Sequence, residues 1–387
     1  MHSSHCTAIT PDYLTQPEMK SPLLTPESQQ RIDEIQRHFD GQERFKYEGL
    51  IGRGGFGFAF GVVERMSFGR TRKLAVKRAL HSGYDDDLRA EIRWLRVLSG
   101  AAHIVSVISA RDDFRISYLR RRSYLSYIWR WLRWMFSSSY DSFPKGLRGP
   151  VLVLEHLDNA TLKHLWTRAY QFNEQLPNRL LWSFFLCMIR ACVGMAYPPN
   201  RGLGARPQVE TIPDNGVPPW NMEHGDLGGG NVMIGGTGAT GSHSLIPILK
   251  LIDFGQSQQG PMGVKRNSFE ISKIMMCLIV HEELPYSKHA MGTIYNGIET
   301  LAKEILPQGN GDKYPTLDGD LRDLLIRCLA IDPAQRPGLE EMLVTVEEAV
   351  RTKTAESYVN YYFETDEAIQ NILNRLVYDA ETATPAN

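Results

Sequence analysis

The sequence predicts an α+β fold with two lobes, a small lobe rich in β-strands with one key helix and a larger helical lobe. Two observations predict it. Short runs of alternating apolar residues dominate the chain up to about Leu154, and longer runs with helical spacing dominate it from about Thr161. Strands and helices that segregate in this way form separate layers instead of alternating βα units. The 387 residues are enough for one such domain with a tail at each end.

The elements of the first part follow in order. A short helix is expected at 27–39, and apolar alternation predicts strands at 45–51, 58–64, 73–79, 103–109 and 151–154. A helix is expected at 85–98, because Ile92, Leu95 and Leu98 recur at intervals of three. These elements predict an N-terminal tail over 1–44, which includes the short helix, and a small lobe over about 45–154.

The second part is mostly helical. Helical spacing predicts helices at 162–170, 178–197, 268–280, 298–305, 318–329 and 339–350. A proline- and glycine-rich loop is expected at 198–219, and short strands are expected on either side of a glycine-rich turn at 235–241. The large lobe therefore covers about 158–350, the whole domain 45–350, and a C-terminal tail 351–387.

Composition and charge exclude several classes of protein. The formal net charge is -1, so no overall field attracts nucleic acid or a membrane, and no nucleic-acid partner is expected. Residues 1–24 lack the basic-then-apolar pattern of a signal peptide. The apolar run at 180–197 is interrupted by Arg190, which favours a buried helix over a membrane span. The sequence predicts an intracellular protein, cytoplasmic or nuclear, without a transmembrane helix.

The cysteines give the same indication. The chain has Cys6, Cys187, Cys192, Cys277 and Cys328. Their number is odd, and the spacing of Cys187 and Cys192 suits neither a redox pair nor a zinc knuckle. We therefore expect reduced, partly buried thiols, with neither disulfides nor a zinc site.

A glycine cluster lies between the first two predicted strands. It reads Gly52-Arg53-Gly54-Gly55-Phe56-Gly57. Glycines let the backbone approach a phosphate and expose N–H groups to it. A glycine-rich hairpin without a ligand is an equal alternative for this motif alone. Its place between two strands argues against a dinucleotide fingerprint, which lies between a strand and a helix.

Two charged residues follow on neighbouring elements. Lys77 ends the apolar stretch Leu74-Ala75-Val76, and Glu91 lies on the predicted helix after it. A lysine on a buried strand needs a counter-charge or a ligand anion, and Glu91 can supply the counter-charge. Taken singly, each residue is more often a solvated surface charge.

Two further motifs carry carboxylates. The first is His224-Gly225-Asp226 with Asn231 beyond it, and the second is Asp253-Phe254-Gly255 directly after an apolar strand. A carboxylate can orient a hydroxyl group or accept its proton, and carboxylate and amide oxygens suit Mg²⁺.

The five motifs occur in the order that is typical of protein kinases, and the chain resembles the eukaryotic protein kinase-like family over about 45–350. The segment from Leu329 to Pro337 also looks like the kinase segment that closes the large lobe. The resemblance implies ATP and Mg²⁺ as cofactors and phosphoryl transfer to a protein hydroxyl, with a Ser/Thr preference.

The resemblance also implies a role for each matched residue. Catalysis would rest on Asp226, which orients the acceptor, and on Lys77 paired with Glu91; Asn231 and Asp253 would hold Mg²⁺. The nucleotide-binding residues would be Gly52, Gly54, Gly55 and Gly57 at the phosphates, Ala59, Ala75 and Met233 around adenine, Lys77 at the α/β-phosphates, and the backbone near Glu155 and Leu157. Leu95, His224 and Phe254 would be packing residues.

The chain departs from the family at several positions. Gly225 replaces the usual arginine, and Gly228 replaces a frequent lysine. The segment after Gly255 is short and lacks an A-P-E signature, so Arg336 needs a partner other than the usual glutamate. These departures put the family's phosphorylation switch and peptide specificity in doubt more than ATP binding.

An insertion at about 115–146 interrupts a strand pair of the small lobe. Its part from 116 to 142 combines Arg120-Arg121-Arg122 with Trp129, Trp131 and Trp134. A basic, tryptophan-rich amphipathic helix can contact an anionic membrane or a partner. A helix packed on the small lobe and a retained intron are the alternatives.

Three functions stay open from the sequence. The first is an active protein kinase acting on a protein substrate. The second is a pseudokinase that serves as an ATP-binding or scaffold module, which the short segment and Gly228 favour. The third is a small-molecule phosphotransferase, because His224-Gly225-Asp226-Leu227 also resembles the loop of aminoglycoside and choline phosphotransferases.

Overall fold

A five-stranded antiparallel sheet forms the first part of the protein. The computed structural model describes residues 25–111, 147–238, 243–282, 292–307 and 311–379. The strands lie in the order β1-β2-β3-β5-β4. They are β1 (Phe45–Arg53), β2 (Gly57–Arg65), β3 (Thr71–Ala79), β4 (Val107–Arg111) and β5 (Val151–Glu155).

Two helices cover the two faces of this sheet. Successive strand residues point to opposite faces. In β5, Val153 packs with Phe39 of α1 (Pro26–Asp40), whereas Leu152 belongs to the apolar cluster that contains Leu95 of α2 (Asp85–Val97). Both helices and the sheet therefore confirm the expected strand-rich part.

Six helices account for most of the described residues of the second part. They are α3 (Leu162–Gln171), α4 (Asn178–Ala196), α5 (Gly263–Val280), α6 (Gly319–Cys328), α7 (Leu339–Thr352) and α8 (Asp366–Leu373). Among the described residues, α4 is the one helix long and apolar enough to cross a membrane, but most of it is buried inside the protein. This burial is that of a core helix, which the interruption of the apolar run by Arg190 predicted.

Where the structure describes it, the second part also contains three pairs of short strands. They are β6 (Met222–Glu223) with β9 (Gln258–Gln259), β7 (Val232–Ile234) with β8 (Leu249–Leu251), and β10 (Thr293–Tyr295) with β11 (Ile298–Thr300). The segment before β4 contacts β8, since the N–H of Leu251 donates to the carbonyl of His103 at 2.9 Å. This contact joins the two parts of the molecule.

Three predicted elements were wrong in type or extent. The helix expected at 298–305 is instead β11 followed by a short 3-10 turn. Asn296 and Gly297 both have positive φ and form the tight turn of the β10–β11 hairpin, a strong Asn-Gly signal that the helical spacing obscured. The strand expected at 103–109 begins at Val107, and the helix expected at 268–280 begins at Gly263.

The segment after α7 packs on the folded body. Ile369 and Ile372 of α8 are buried, and so is Glu364. The carboxylate of Glu364 accepts from the N–H groups of Asn178 and Arg179 at 2.8 and 2.9 Å, which satisfies the first turn of α4. Tyr361 and Tyr362 are exposed, whereas Phe363 packs against the core. A buried carboxylate, Phe363 and one apolar helix face anchor this segment.

Candidate functional site

Lys77 lies at the centre of a charged cluster between the sheet and the helical part. Its ammonium group lies 2.8 Å from the carboxylate of Glu91 on α2 and 2.7 Å from that of Asp253, which follows β8. Burial alone would lower the pKa of Lys77, but the two carboxylates raise it above its usual value. Lys77 is therefore a fixed cation held between two elements that are far apart in sequence.

Asp253 has an uncommon backbone conformation. Its φ is +61° and its ψ is +72°, a left-handed geometry that a residue with a side chain seldom adopts. Its side chain is 40% exposed, whereas that of Glu91 is 2% exposed. Burial raises the pKa of the Asp253 carboxyl, but the adjacent Lys77 lowers it more, and the net pKa is below the usual value. Asp253 is thus an ionised and accessible carboxylate in a strained turn, and such strain concentrates at functional sites.

Asp226 and Asn231 form the second half of the site. The amide nitrogen of Asn231 donates to the carboxylate of Asp226 at 2.9 Å and to its carbonyl at 2.7 Å. The backbone N–H of Ile252 donates to the carbonyl of Asn231 at 3.0 Å. Because Ile252 precedes Asp253, the β7–β8 pair places Asn231 and Asp253 at the same end of adjacent strands. The five charged or amide residues singled out in the sequence form two side-chain groups, Glu91–Lys77–Asp253 and Asn231–Asp226, and the backbone hydrogen bond from Ile252 to Asn231 connects them.

A buried scaffold holds the loop that carries Asp226. Nε2 of His224 donates to the carbonyl of Ile252 at 3.0 Å, and its ring centroid lies 4.6 Å from that of Phe254. Burial lowers the pKa of His224, so its ring is neutral. The amide of Asn267, on α5, accepts from the N–H of His224 at 3.1 Å and donates to Met222 at 2.7 Å. His224 is a packing residue, as expected, and Asn267 is a supporting residue that the sequence motifs missed.

The glycine cluster forms the tip of the β1–β2 hairpin. The N–H of Gly54 donates to the carbonyl of Gly57 at 2.9 Å, and Gly52 pairs with Ala59, which in turn pairs with Lys77. This register places the hairpin tip beyond Lys77. A Cβ on Gly55 would meet no atom within 4 Å, so the backbone there is open to a ligand.

Gly57 has a different reason to be glycine. A Cβ there would lie 2.7 Å from the carbonyl oxygen of Arg78 in β3. Close approach of two strands therefore requires this glycine, whether or not a phosphate binds. Sequence alone could not separate this packing role from ligand contact.

The residues expected around adenine lie on β2, β3, β7 and the segment after β5. Ala59, Ala75, Met233 and Leu157 are each partly buried. Ala75 pairs with Leu154 of β5, and Met233 lies on β7.

Glu155 has a structural role that the sequence did not predict. Its carboxylate accepts from Lys250 at 2.6 Å and from the N–H of Ser106 at 2.7 Å. Lys250 lies on β8, so this ion pair joins β5 to the strand that ends near Asp253.

Gly225 cannot be replaced in this backbone by the arginine that is usual in protein kinases. Its φ is +86°, and a Cβ would lie 2.0 Å from the carbonyl oxygen of Gln256. Gly229 is equally confined, because a Cβ on it would lie 2.1 Å from the Trp166 ring, whereas a Cβ on Gly228 would meet nothing within 4 Å. The loop therefore packs tightly against the segment after Gly255. Of these three glycines, only Gly228 has room for a side chain.

The segment between Gly255 and α5 is shorter than the sequence suggested. Because α5 begins at Gly263, only residues 256–262 connect the two. Within them, β9 pairs with β6 directly beside the Asp226 loop.

Arg336 has partners that replace the missing glutamate. Its guanidinium donates to the carbonyls of Ala330 at 2.8 Å and Ile331 at 3.1 Å, and it lies 4.2 Å from the ring centroid of Phe269. This arginine is a cross-link between α5 and the segment after α6, held by carbonyl groups and an aromatic ring.

Comparison with protein-family models gives no match to this chain, and a search of curated proteins gives none either. The insertion predicted at about 115–146 lies outside the described residues, so its membrane or partner role stays a prediction.

Proposed function

We propose that this chain binds ATP with Mg²⁺ and transfers the γ-phosphoryl group to a hydroxyl acceptor, as a divergent protein kinase with a two-lobed fold. The observation that carries the proposal is the connected group Glu91–Lys77–Asp253 and Asn231–Asp226. The sheet with α1 and α2 would be the small lobe, and α3 to α8 the large lobe. The nucleotide would lie between them.

The residues present fit Mg²⁺ and a triphosphate. Mg²⁺ prefers hard oxygen ligands, and the residues that carry the exposed carboxylate of Asp253 and the amide of Asn231 lie at the same end of the β7–β8 pair. When bound, the metal ion would neutralise charge on the phosphate oxygens. Lys77 offers a fixed positive charge, and the open backbone at Gly55 can approach a phosphate.

The chain's own groups supply orientation and proton transfer. The Asp226 carboxylate is held by Asn231 and can orient an acceptor hydroxyl or accept its proton. Lys77 is kept charged and immobile by Glu91, so it needs little reorganisation to stabilise charge that develops on the phosphate. A protein Ser/Thr hydroxyl is the acceptor that the resemblance favours.

One observation favours a second candidate, a small-molecule phosphotransferase. Residues 256–262 leave little chain to form a docking surface for a peptide substrate. A small alcohol needs no such surface. The same observation suits a pseudokinase, in which ATP binds without transfer.

The test is transfer of labelled phosphate from ATP with Mg²⁺ to the protein itself, to a generic protein substrate and to a panel of aminoglycosides and choline. The variant is Asp253→Asn, since asparagine tolerates the positive φ at this position. Asp366→Asn, at an exposed site on α8, is the matched control.

Metal-dependent transfer that is lost in Asp253→Asn and kept in Asp366→Asn supports the proposal, and the preferred acceptor decides between the two enzyme classes. ATP binding without transfer to any acceptor replaces the enzyme with a binding module. A folded protein that does not bind ATP would refute the assignment of the site.

A further inference from the structure

Three potential metal ligands from distant segments meet away from the charged cluster. They are His103, before β4, Cys187 in the middle of α4, and His243, in the connection between β7 and β8. One ligand atom from each lies within 4.8 Å of the other two. His103 and Cys187 are each 1% exposed, and His243 is partly buried.

Hydrogen bonds fix the orientation of both imidazole rings. Nδ1 of His103 lies 2.6 Å from the carboxylate of Glu210, and Nδ1 of His243 lies 3.3 Å from the carbonyl of Ile246. Both partners are acceptors, so each Nδ1 carries a proton and donates it. Each Nε2 is then the ring atom that can turn a lone pair to a metal ion.

Both Nε2 atoms lack hydrogen bonds. Among the residues that the structure describes, neither Nε2 of His103 nor Nε2 of His243 has a hydrogen-bond partner. Buried polar atoms are almost always paired, and an exception needs an explanation, such as an unseen water molecule or ion. Other buried polar atoms of the described residues are unpaired too, but these two belong to one cluster, beside a buried free thiol.

We propose that His103, Cys187 and His243 bind a Zn²⁺ ion. Two imidazole nitrogens and one thiolate are the ligand types that zinc prefers, whereas Mg²⁺ and Ca²⁺ prefer oxygen. Bonds of about 2.0–2.3 Å place ligand atoms roughly 3.3–3.8 Å apart on a tetrahedral zinc ion. The three side chains therefore need to close by about 1.5 Å at most. A water molecule would take the fourth position.

Glu210 completes the site without touching the metal. Its carboxylate accepts from Nδ1 of His103 at 2.6 Å and from the N–H of the same residue at 2.7 Å. A carboxylate behind a ligating histidine is the usual outer partner in zinc sites, where it fixes the ring and increases its basicity.

The charges around the cluster favour a cation at its centre. Glu210 places a carboxylate behind His103, and Cys187 offers a thiolate to the ion. The charges of the zinc ion, one thiolate and the Glu210 carboxylate sum to zero. The group can therefore be buried without an uncompensated charge. Arg190 is a nearby cation, and its guanidinium lies 3.3 Å from the carboxylate of Glu347, which offsets it.

The zinc ion would cross-link three segments of the chain. The carbonyl of His103 accepts from Leu251, which lies in β8 just before Asp253, and His243 precedes the same strand. The metal would thus anchor β8 and the segment that enters it. This proposal does not depend on the proposed phosphoryl transfer.

The experiment measures zinc in the full-length protein after dialysis. We expect about one Zn²⁺ per chain in the wild type and in Cys192→Ser, a matched control on the same buried helix. Cys187→Ser should lose the metal, and Glu210→Gln should weaken binding by roughly 10–100-fold. If Cys187→Ser does not fold, His243→Gln tests the same ligand set at a less buried position.

Cobalt gives a second readout that reports on the thiolate. Chelated wild-type protein reloaded with Co²⁺ should show a thiolate-to-metal charge-transfer band, which Cys192→Ser keeps and Cys187→Ser loses. Absence of this band in the wild type, or equal zinc content in Cys187→Ser and Cys192→Ser, would overturn the proposal. In that case the cluster is a metal-free part of the core.

Discussion

Two lysines in this protein each lie between two carboxylates at almost the same distances. Lys77 lies 2.8 Å from Glu91 and 2.7 Å from Asp253, and Lys353 lies 2.8 Å from Asp318 and 2.7 Å from Asp320. In each group one carboxylate is 2% exposed. Ion-pair geometry alone therefore does not distinguish a functional cluster from a structural one.

The difference lies in what else the carboxylates do. Asp318 caps α6 through the N–H of Asp320 at 2.9 Å and accepts from Trp182 at 3.1 Å, with an ordinary φ of −53°. Asp253 is 40% exposed and has a φ of +61°. The carboxylate of Asp318 is occupied by hydrogen bonds and an ion pair within the fold. The carboxylate of Asp253 lies in a strained turn and has room for a ligand. We infer function only for the second arrangement.

The largest expected difference is in catalysis. Lys77→Met should lower kcat/KM for phosphoryl transfer by about 10²–10³-fold, because it removes a fixed charge that stabilises the transition state. Lys353→Met should leave transfer per folded molecule unchanged. Steady-state rates, normalised to the folded fraction from near-UV circular dichroism, measure the contrast. Equal losses in the two variants would remove the distinction between the clusters.

Ligand binding should separate the same two variants by thermal shift. At about 100 times its Kd, Mg-ATP should stabilise the wild type by about 2.7 kcal/mol, since it binds only the folded state. Lys353→Met should melt at a lower temperature than the wild type but should still be stabilised by Mg-ATP. Lys77→Met should lose most of this stabilisation by Mg-ATP. Full stabilisation of Lys77→Met by Mg-ATP would mean that ATP binds elsewhere.

The pH dependence of stability should identify Asp318 as structural. Burial raises its pKa, but Lys353 and Trp182 lower it more, so the pKa in the folded state is below the unfolded value. The resulting stability is complete above about pH 4 and is lost as the pH falls through the folded pKa. We expect Asp318→Asn to cost about 1–3 kcal/mol at neutral pH and less in acid.

Denaturant unfolding at neutral pH and at about pH 3 measures this change. Asp323→Asn, an exposed position on the same helix, is the control and should cost little at either pH. A cost of Asp318→Asn that grows in acid would contradict the assigned direction of the pKa shift.

The smallest effect is expected at Asp320. Its side chain is 75% exposed, so its ion pair with Lys353 is well solvated. Asp320→Asn should cost less than about 1 kcal/mol, and added salt should reduce the cost further. Chemical denaturation at low and high ionic strength gives the comparison. A large, salt-independent loss would show that the outer carboxylate is as structural as Asp318.

Much of the fold could be predicted from local patterns. Alternation at β1 to β3 and the spacing of Ile92 and Leu95 in α2 reflect burial on one face, which sequence periodicity records directly. The hairpin at Asn296-Gly297 was missed because a helical pattern was preferred over a turn signal.

The candidate site divides in the same way. Lys77, Glu91 and Asp253 were predicted because each lies in a local motif. The contact of Gly225 with Gln256 and the partners of Arg336 depend on which segments meet in space, and no local spacing encodes that.

The cysteine argument shows the same limit. Spacing between cysteines gave no reason to expect a zinc site, and Cys187 and Cys192 do not form one together. The candidate site joins Cys187 to two histidines that are far away in sequence. A search for one residue type could not find a mixed cluster formed by tertiary structure.

The pairing of β4 with β5 has a consequence for the engineering of this protein. Arg111 and Val151 face each other as register partners at the open end of these strands, so the chain leaves and re-enters the sheet at neighbouring points. Leu147 is buried, so the natural place for a junction lies between Arg111 and Leu147. A short linker at this place can join the two strands in their present register.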